Sequence, residues 1–344
     1  MLRLQSAAET PAVAAAVAVL FAFSLQTAFA ALSDYDPAFA RFAFEHAAAA
    51  YSTNPLKCIA KYGDTSIVRQ DTVLCDHFHD KCWYYISESP NYIVVAFRGT
   101  RSKLQLTAEI LASMTEPKAK FIGGGSVQRY FNSAFASVWR DMWHTLRKLT
   151  RGNVTRPVLF TGHSLGGALA SLASTKFAYF CYRKGIDVDI RLVTFGEPRT
   201  GNRNFAFAHD ALVPNSFRIV HQGDLVCSLF RKKKIPHLPN CLVNVRTFAC
   251  ISRFNFGPYH HGIEIWYPQN MTETSLYRIC LDKPRNEDQT CSNSIYRHYN
   301  IHDHLFYFGK HVSEYGISGC IPEPERKKFF RNKLLSMTKP LNDT

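Results

Sequence analysis

The sequence predicts an α/β fold, a mostly parallel central sheet flanked by helices. Three observations predict it. The run Tyr92–Phe97 is apolar without alternation, as a strand buried on both faces is, and Ile190–Phe195 reads as another buried strand. Segments with apolar residues at helical spacing separate such runs. Between them, Val158-Leu-Phe-Thr161 passes through Gly162-His-Ser-Leu-Gly166 into a run of small residues, Gly167 to Ala173, which reads as a strand, a sharp turn and a helix.

The elements follow in chain order. Residues 12–23 are an apolar stretch of secretory-signal length, and Ala28-Phe29-Ala30 offers a small-x-small cleavage site. A signal peptide over residues 1–30 is expected. A retained anchor is the rival reading, but the stretch is short for a membrane span and Ser24, Gln26 and Thr27 follow at once. Ala38 to Tyr51 is helical in pattern. Trp83–Ser87 and Tyr92–Phe97 are strands joined by the turn Glu88–Asn91. Val127 to Leu149 carries Tyr130, Phe131, Ala134, Phe135, Val138, Met142 and Leu146 at helical spacing. Further strands are expected at Ile190–Phe195, Phe217–Val220 and Ile263–Tyr267. No repeat or linker interrupts the series, so residues 31–321 read as one domain. Two stretches look grafted on. Cys227–Ile235 holds four consecutive bases, Arg231 to Lys234. The tail 322–344 interleaves Arg326, Lys327, Lys328 and Arg331 with Phe329, Phe330, Leu334 and Leu335, reading as a solvated tail or as a membrane-touching segment.

The chain has 344 residues with 41 Lys and Arg against 27 Asp and Glu, a net charge of +14. Removing residues 1–30 takes one Arg and one Glu and leaves that charge unchanged. A basic surface on a secreted protein points to anionic interfaces such as phospholipid or acidic glycans. No zinc-finger, helix-turn-helix or RNA-binding pattern is present, which argues against nucleic acid as a partner. The ten cysteines beside a secretory signal point to disulfides. The absence of any C-x-x-C pair argues against zinc and redox roles. Sequons stand at Asn153, Asn270 and Asn342.

Gly162-His163-Ser164-Leu165-Gly166 between strand and helix has the form of a nucleophile elbow, in which strained backbone holds the serine hydroxyl above the sheet. The glycines are there because side chains would collide across the turn. Serine needs a histidine to take its proton and a carboxylate to orient that imidazole. In this order of elements both partners come later, each just past a strand. Asp224 fits, four residues beyond the Phe217–Val220 strand. Asp187 and Asp189 precede a strand, and Asp210 falls in a helical stretch. Seven histidines follow Asp224. His260 and His261 precede a strand and read as packing residues. Within Asn300-Ile-His-Asp-His-Leu-Phe-Tyr-Phe-Gly309, spacing alone does not separate His302 from His304.

Phe97-Arg-Gly-Thr100, Thr161 to Gly167, Thr194-Phe-Gly-Glu-Pro-Arg199, Arg218-Ile-Val-His221 with Asp224, His261-Gly-Ile-Glu-Ile-Trp-Tyr267, and Asp303-His304-Leu305 with Tyr307-Phe-Gly309 together resemble the class 3 lipases. These are the secreted fungal triacylglycerol lipase type of α/β-hydrolase, and the style is that of cysteine-rich nematode members. The motifs run in the family's order from about residue 58 to 320. The resemblance implies an α/β-hydrolase fold with a helical lid and selects His304 as the base. It implies an oxyanion hole from Thr100 and the N–H of Leu165, with Arg98 and His163 in packing roles. It places a lid at about 104–114, where Leu106, Ile110 and Met114 form an apolar stripe joined by Leu104 and Leu111; an ordinary surface helix is the plainer reading of that stripe. It implies the bridges Cys58–Cys320 and Cys280–Cys291, while Cys75–Cys82 and Cys241–Cys250 are local pairs suggested by spacing. Cys181 and Cys227 are left to pair or stay free. The insertion at Cys227–Ile235 departs from the family pattern just after Asp224.

The function this implies is a secreted serine hydrolase that cleaves carboxylic esters of lipids at an oil–water or membrane interface, first of all triacylglycerol. No metal or organic cofactor is called for. Phospholipase A1 and feruloyl-type esterase are alternatives on the same fold, and a catalytically silent lipid-binding protein is a further one. Oligomeric state is not legible.

Overall fold

A computed structural model describes residues 35–74, 81–100, 118–152, 156–228, 233–234, 241–243, 250–252, 257–295 and 299–322. The 1–30 segment, the 104–114 stripe and the tail beyond residue 322 therefore lie outside the described residues.

Among these, the main sheet has eight strands whose spatial order follows the chain. They are β1 (Ser66–Leu74), β2 (Lys81–Glu88), β3 (Ile93–Phe97), β4 (Val158–His163), β5 (Ile190–Phe195), β6 (Asn215–His221), β7 (Ile263–Tyr267) and β8 (Arg278–Cys280). The five strands from β3 to β7 are mutually parallel. The outer pairs β1–β2, β2–β3 and β7–β8 are antiparallel. β1 escaped the sequence reading because it is an edge strand whose side chains alternate between exposed and half-buried, and it carries polar residues throughout.

The non-alternating strands are explained by two covered faces. Val94, Leu159, Val193, Phe195 and Ile219 face one core, together with Ala40, Ala43, Phe44 and Ala47 of helix α1 (Pro37–Ala49). Ile93, Val95, Phe97, Val158, Phe160 and Leu192 face the other, under helices α2 (Arg129–Leu149) and α3 (Leu165–Lys184). Successive side chains on a strand point to opposite faces, so apolar residues run without alternation when both faces are buried, and the buried polar exceptions Thr161, Thr194 and Arg218 are hydrogen-bonded.

Local chemistry sets the helix ends. Asp36 caps α1, its Oδ1 accepting from the Ala38 N–H at 2.7 Å, with Pro37 in the first helical position. α3 ends on Gly185 in the left-handed region at φ 63°. Helix α4 (Arg203–Leu212) carries Asp210, as expected of a residue in a helical stretch. No helix of the described residues is long and apolar enough to cross a membrane.

Disulfides join Cys58 to Cys320 and Cys280 to Cys291. Cys82 is also disulfide-bonded, but Cys75 lies outside the described residues. Cys181 and Cys227 are both buried and free. The Cys227–Ile235 stretch leads into a ribbon of its own. The backbone of Lys233–Lys234 pairs with Cys241–Val243, which pairs with Cys250–Ser252, in a three-stranded ribbon separate from the main sheet. Cys241 lies opposite Ser252 and Cys250 opposite Val243; the side chains there lie outside the described residues.

The Cys58–Cys320 bridge spans a sequence separation of 262 residues. Replacing both cysteines by alanine is expected to lower unfolding free energy by about 2–5 kcal/mol, because the unfolded chain regains the freedom that closure removed. Chemical denaturation of the double variant checks this, and a loss below about 1 kcal/mol would contradict it.

Candidate active site

Ser164 stands between the last residue of β4 and the first of α3, at φ 59°. A serine pays for that conformation, and the surroundings enforce it. A Cβ on Gly162 would fall on the carbonyl of Gly166, and one on Gly166 would fall on the carbonyl of Phe97 at the end of β3. The turn therefore closes only with glycine on both sides. The Ser164 N–H donates to the Phe195 carbonyl at 2.9 Å, which moors the elbow to β5.

Asp224 and His304 meet at this end of the sheet, both completely buried. Asp224 follows β6, and His304 lies on the short helix α5 (Ile301–Leu305). Asp224 and Asn300 form a single parallel bridge, and the Asn300 N–H donates to the Gly223 carbonyl at 3.0 Å. Asn300 also caps α5 through the His302 N–H at 2.8 Å. The His304 Nδ1 is 3.0 Å from both Asp224 oxygens. Nδ1 is accordingly the proton-bearing nitrogen, and Nε2 carries a lone pair. That Nε2 and the Ser164 Oγ are both buried, and neither has a hydrogen-bond partner. The two therefore do not hydrogen-bond to each other in this state. His302, the alternative left open by spacing, turns away and stacks on Phe306 with ring centroids 4.1 Å apart.

Three more groups hold Asp224. The Val226 N–H donates to Oδ1 at 2.8 Å, and the Tyr307 hydroxyl donates to Oδ2 at 2.9 Å. Burial pushes the Asp224 carboxyl up, but facing His304 and accepting these hydrogen bonds outweigh it and hold it below its ordinary value. Gly196, at φ 60°, is the third: a Cβ there would lie 2.6 Å from His304 Nδ1 and 2.8 Å from Asp224 Oδ2. The imidazole–carboxylate pair thus packs on bare backbone.

Behind Gly196 the chain is fixed by Glu197, which accepts from Ser171 Oγ at 2.6 Å, Thr194 Oγ1 at 2.7 Å and Thr200 Oγ1 at 2.9 Å. Arg199 forks onto Glu287 at 2.8 and 2.6 Å. Sequence reasoning singled out the Thr194–Arg199 motif but assigned its residues no roles. The signal for Gly196 was a glycine directly after a buried strand. Tyr307 stood in a quoted motif without a role, and nothing in the sequence pointed to Glu287.

His163 is buried, with its ring centroid 4.6 Å from that of His304. Its Nε2–H donates to the His304 carbonyl at 2.7 Å, so its Nδ1 accepts from the Tyr51 hydroxyl at 2.9 Å. It packs and aligns, as expected. The Arg98 guanidinium donates to the Lys81 carbonyl. His260 donates to the Cys227 carbonyl, and His261 meets Ser171 and Glu197. Thr100 is half-buried beside Gly99, where a Cβ would lie 2.5 Å from the His163 carbonyl and 3.3 Å from Ser164 Cβ. The Thr100 backbone and the N-terminus of α3 at Leu165 thus flank the elbow. Glu264, Cys280 and Cys291 also cluster, but both sulfurs are spent in a disulfide and offer no thiolate.

The "Lipase (class 3)" family model matches residues 94–234. The chain is 36% identical over 310 residues to "Lipase ZK262.3" of Caenorhabditis elegans, covering 84% of each protein. The chain belongs to the class 3 lipases. A Rhizopus niveus lipase is 30% identical over 222 residues, which cover 64% of this chain and 49% of that one. The structure of a lipase from Rhizopus microsporus var. chinensis superposes with a TM-score of 0.61 at 24% identity, over 83% of this chain and 91% of that one. The fold is that of the α/β-hydrolases, and the protein is a carboxylic ester hydrolase of the lipase type.

This class 3 lipase keeps several histidines buried and neutral. Burial, with lesser help from neighbouring cations or imidazoles, lowers His46 and His163 from 6.5 to about 3 and drives His209 and His260 well below 6.5. The unfolded chain binds protons at these groups below about pH 6.5 while the folded chain does not. Stability is therefore present above pH 6.5 and lost as pH falls toward the folded values. Each such proton adds about 1.4 kcal/mol per pH unit. Denaturation midpoints are expected to fall steeply from pH 6.5 to 5, and a flat profile would refute the buried neutral assignment.

Proposed function

We propose that the protein is a secreted triacylglycerol lipase working through Ser164, His304 and Asp224. The observation that carries the reading is the His304–Asp224 pair at 3.0 Å, whose free Nε2 is buried at the same strand ends as the strained Ser164. Ser164 Oγ attacks the ester carbonyl carbon and passes its proton to His304 Nε2. Asp224 orients the ring and stabilises its charged form. The Thr100 and Leu165 N–H groups receive the oxyanion, with the positive end of α3 behind them. His304 returns the proton to the leaving alcohol. Water, deprotonated by the same histidine, then releases the fatty acid.

Residues 1–30 would be removed on export, leaving a domain over 31–321, with 104–114 as the lid and 322–344 as a basic tail. The disulfides fit an oxidising compartment, in which burial shields the free thiols of Cys181 and Cys227. The long-chain glyceride reading rests on the family together with the apolar stripe at 104–114. Such a stripe shields a cleft in water and meets acyl chains at an interface.

A panel of triolein, phosphatidylcholine and methyl ferulate, each with and without an emulsion interface, tests the substrate. Triolein turnover is expected to exceed the others, rising about tenfold or more when the interface appears, as lid opening requires. Preference for phosphatidylcholine or the ferulate would replace the triacylglycerol reading. Failure of a fluorophosphonate to label Ser164 would favour silent lipid binding.

A further inference from the structure

At the end of the sheet opposite Ser164 lies a cavity of about 210 Å³, between α1 and the β2–β3 turn. Its position follows from register. Ile93 pairs with Val158 at the start of β4, whereas Phe97 pairs with Gly162 at the elbow. The cavity, lined by Ser87, Glu88, Tyr92 and Val94, is thus four strand residues, about 13 Å, from the ester-cleaving end.

One side of the cavity is aromatic. The rings of Phe42, Tyr62 and Tyr92 line it, with Phe42 contacting Tyr62 at 4.9 Å and Tyr92 at 5.3 Å. The other side is a set of unspent hydrogen-bonding groups. Ser87 is 1% exposed, and its hydroxyl has no partner. Leaving such a group bare costs free energy, so its presence in a cavity wall points to an occupant.

His46 supplies a second. The Tyr85 hydroxyl donates its one proton to the His46 carbonyl at 3.1 Å, so it must accept from His46 Nδ1 at 2.8 Å. That fixes Nδ1 as the protonated nitrogen and leaves Nε2 a bare acceptor, without a partner among the described residues. Burial, aided by Lys61, keeps this ring neutral. Glu88 gives only its Oε2 to Arg156, at 3.4 and 3.5 Å. Its other oxygen, the Asn91 amide and the Thr65 hydroxyl have no partners among the described residues.

We propose that this cavity binds a single pyranose-sized sugar unit. An apolar cavity of about 150 Å³ holds benzene, so 210 Å³ admits one six-membered ring with substituents. The wall selects the chemistry. Aromatic faces accept the C–H face of a sugar ring, and fixed polar groups of both senses take several hydroxyls. A one-ring compound with a single hydroxyl would leave most of those groups bare. The charges beside the wall are already paired, Glu88 with Arg156 and Lys61 with Glu45, which favours a neutral ligand over a charged one. Such a site would hold the enzyme on glycan-bearing material while the distant elbow works on ester.

The test titrates the full chain with the methyl glycosides of glucose, galactose, mannose, xylose and N-acetylglucosamine, using saturation-transfer NMR and calorimetry, with p-cresol as the one-hydroxyl comparison. At least one glycoside is expected to bind with Kd on the order of 1 mM and more tightly than p-cresol. Ser87→Val should weaken it about fivefold or more. Asn91→Trp, on an exposed turn where folding is not at risk, should block the mouth and abolish binding. Hydrolysis of a soluble ester should be unchanged in both. No glycoside binding up to about 50 mM, a preference for p-cresol, or binding indifferent to both substitutions would each overturn the proposal.

Discussion

Ser164→Ala is expected to lower kcat on a soluble ester by about 10⁵–10⁶-fold, the scale on which loss of a serine nucleophile removes covalent catalysis. It should do so with almost no change in stability. The Oγ makes no hydrogen bond, and alanine keeps the Cβ that the φ of 59° strains. The unfolding free energy should therefore stay within about 0.5 kcal/mol. Ser164→Gly separates the two effects. It is equally inactive, but it relieves strain of about 1–3 kcal/mol and gives back about 0.5–1 kcal/mol in chain freedom, for a net gain near 1 kcal/mol. Kinetics with a soluble ester and denaturation of both variants decide the matter. Wild-type turnover in the alanine variant would end the proposed mechanism. A glycine variant that melts lower than wild type would show that the turn is not strained.

Asp224→Asn is expected to cost about 10⁴-fold in kcat, by a change of tautomer rather than of shape. The Asp224 carboxylate accepts from three donors at once: His304 Nδ1, the Val226 N–H and the Tyr307 hydroxyl. An amide has one oxygen. With that oxygen on the Val226 N–H, its NH₂ faces His304 and Tyr307. The phenol can rotate to accept, and an imidazole proton on Nδ1 would face the amide's own N–H at the Oδ2 position, which favours the tautomer with the proton on Nε2. The nitrogen facing Ser164 then carries a proton and cannot take another. The fluorophosphonate labelling rate should fall in step with kcat, because both need the same proton transfer. A variant that labels at the wild-type rate would show that Asp224 does not set the tautomer.

The sequence by itself determined the layered α/β architecture. A buried strand such as Ile93–Phe97 is apolar at every position because helices cover both faces, and that pattern is readable without coordinates. It also determined the elbow, because only Gly162 and Gly166 let the strand, the turn and α3 approach so closely. Edge strand β1 was not legible, since half its side chains meet solvent and its polar residues carry no period.

Only the tertiary structure decided what surrounds the Ser164 end of the sheet. Spacing left His302 and His304 equal; the capped helix α5 turns one ring onto Phe306 and the other onto Asp224. Tyr307, Gly196 and Glu197 acquire their parts there because β5, β6 and α5 converge from positions far apart in the chain. A local period reports which face of an element is buried. It does not report which distant side chain will stand 3 Å away, because that depends on how the elements pack together.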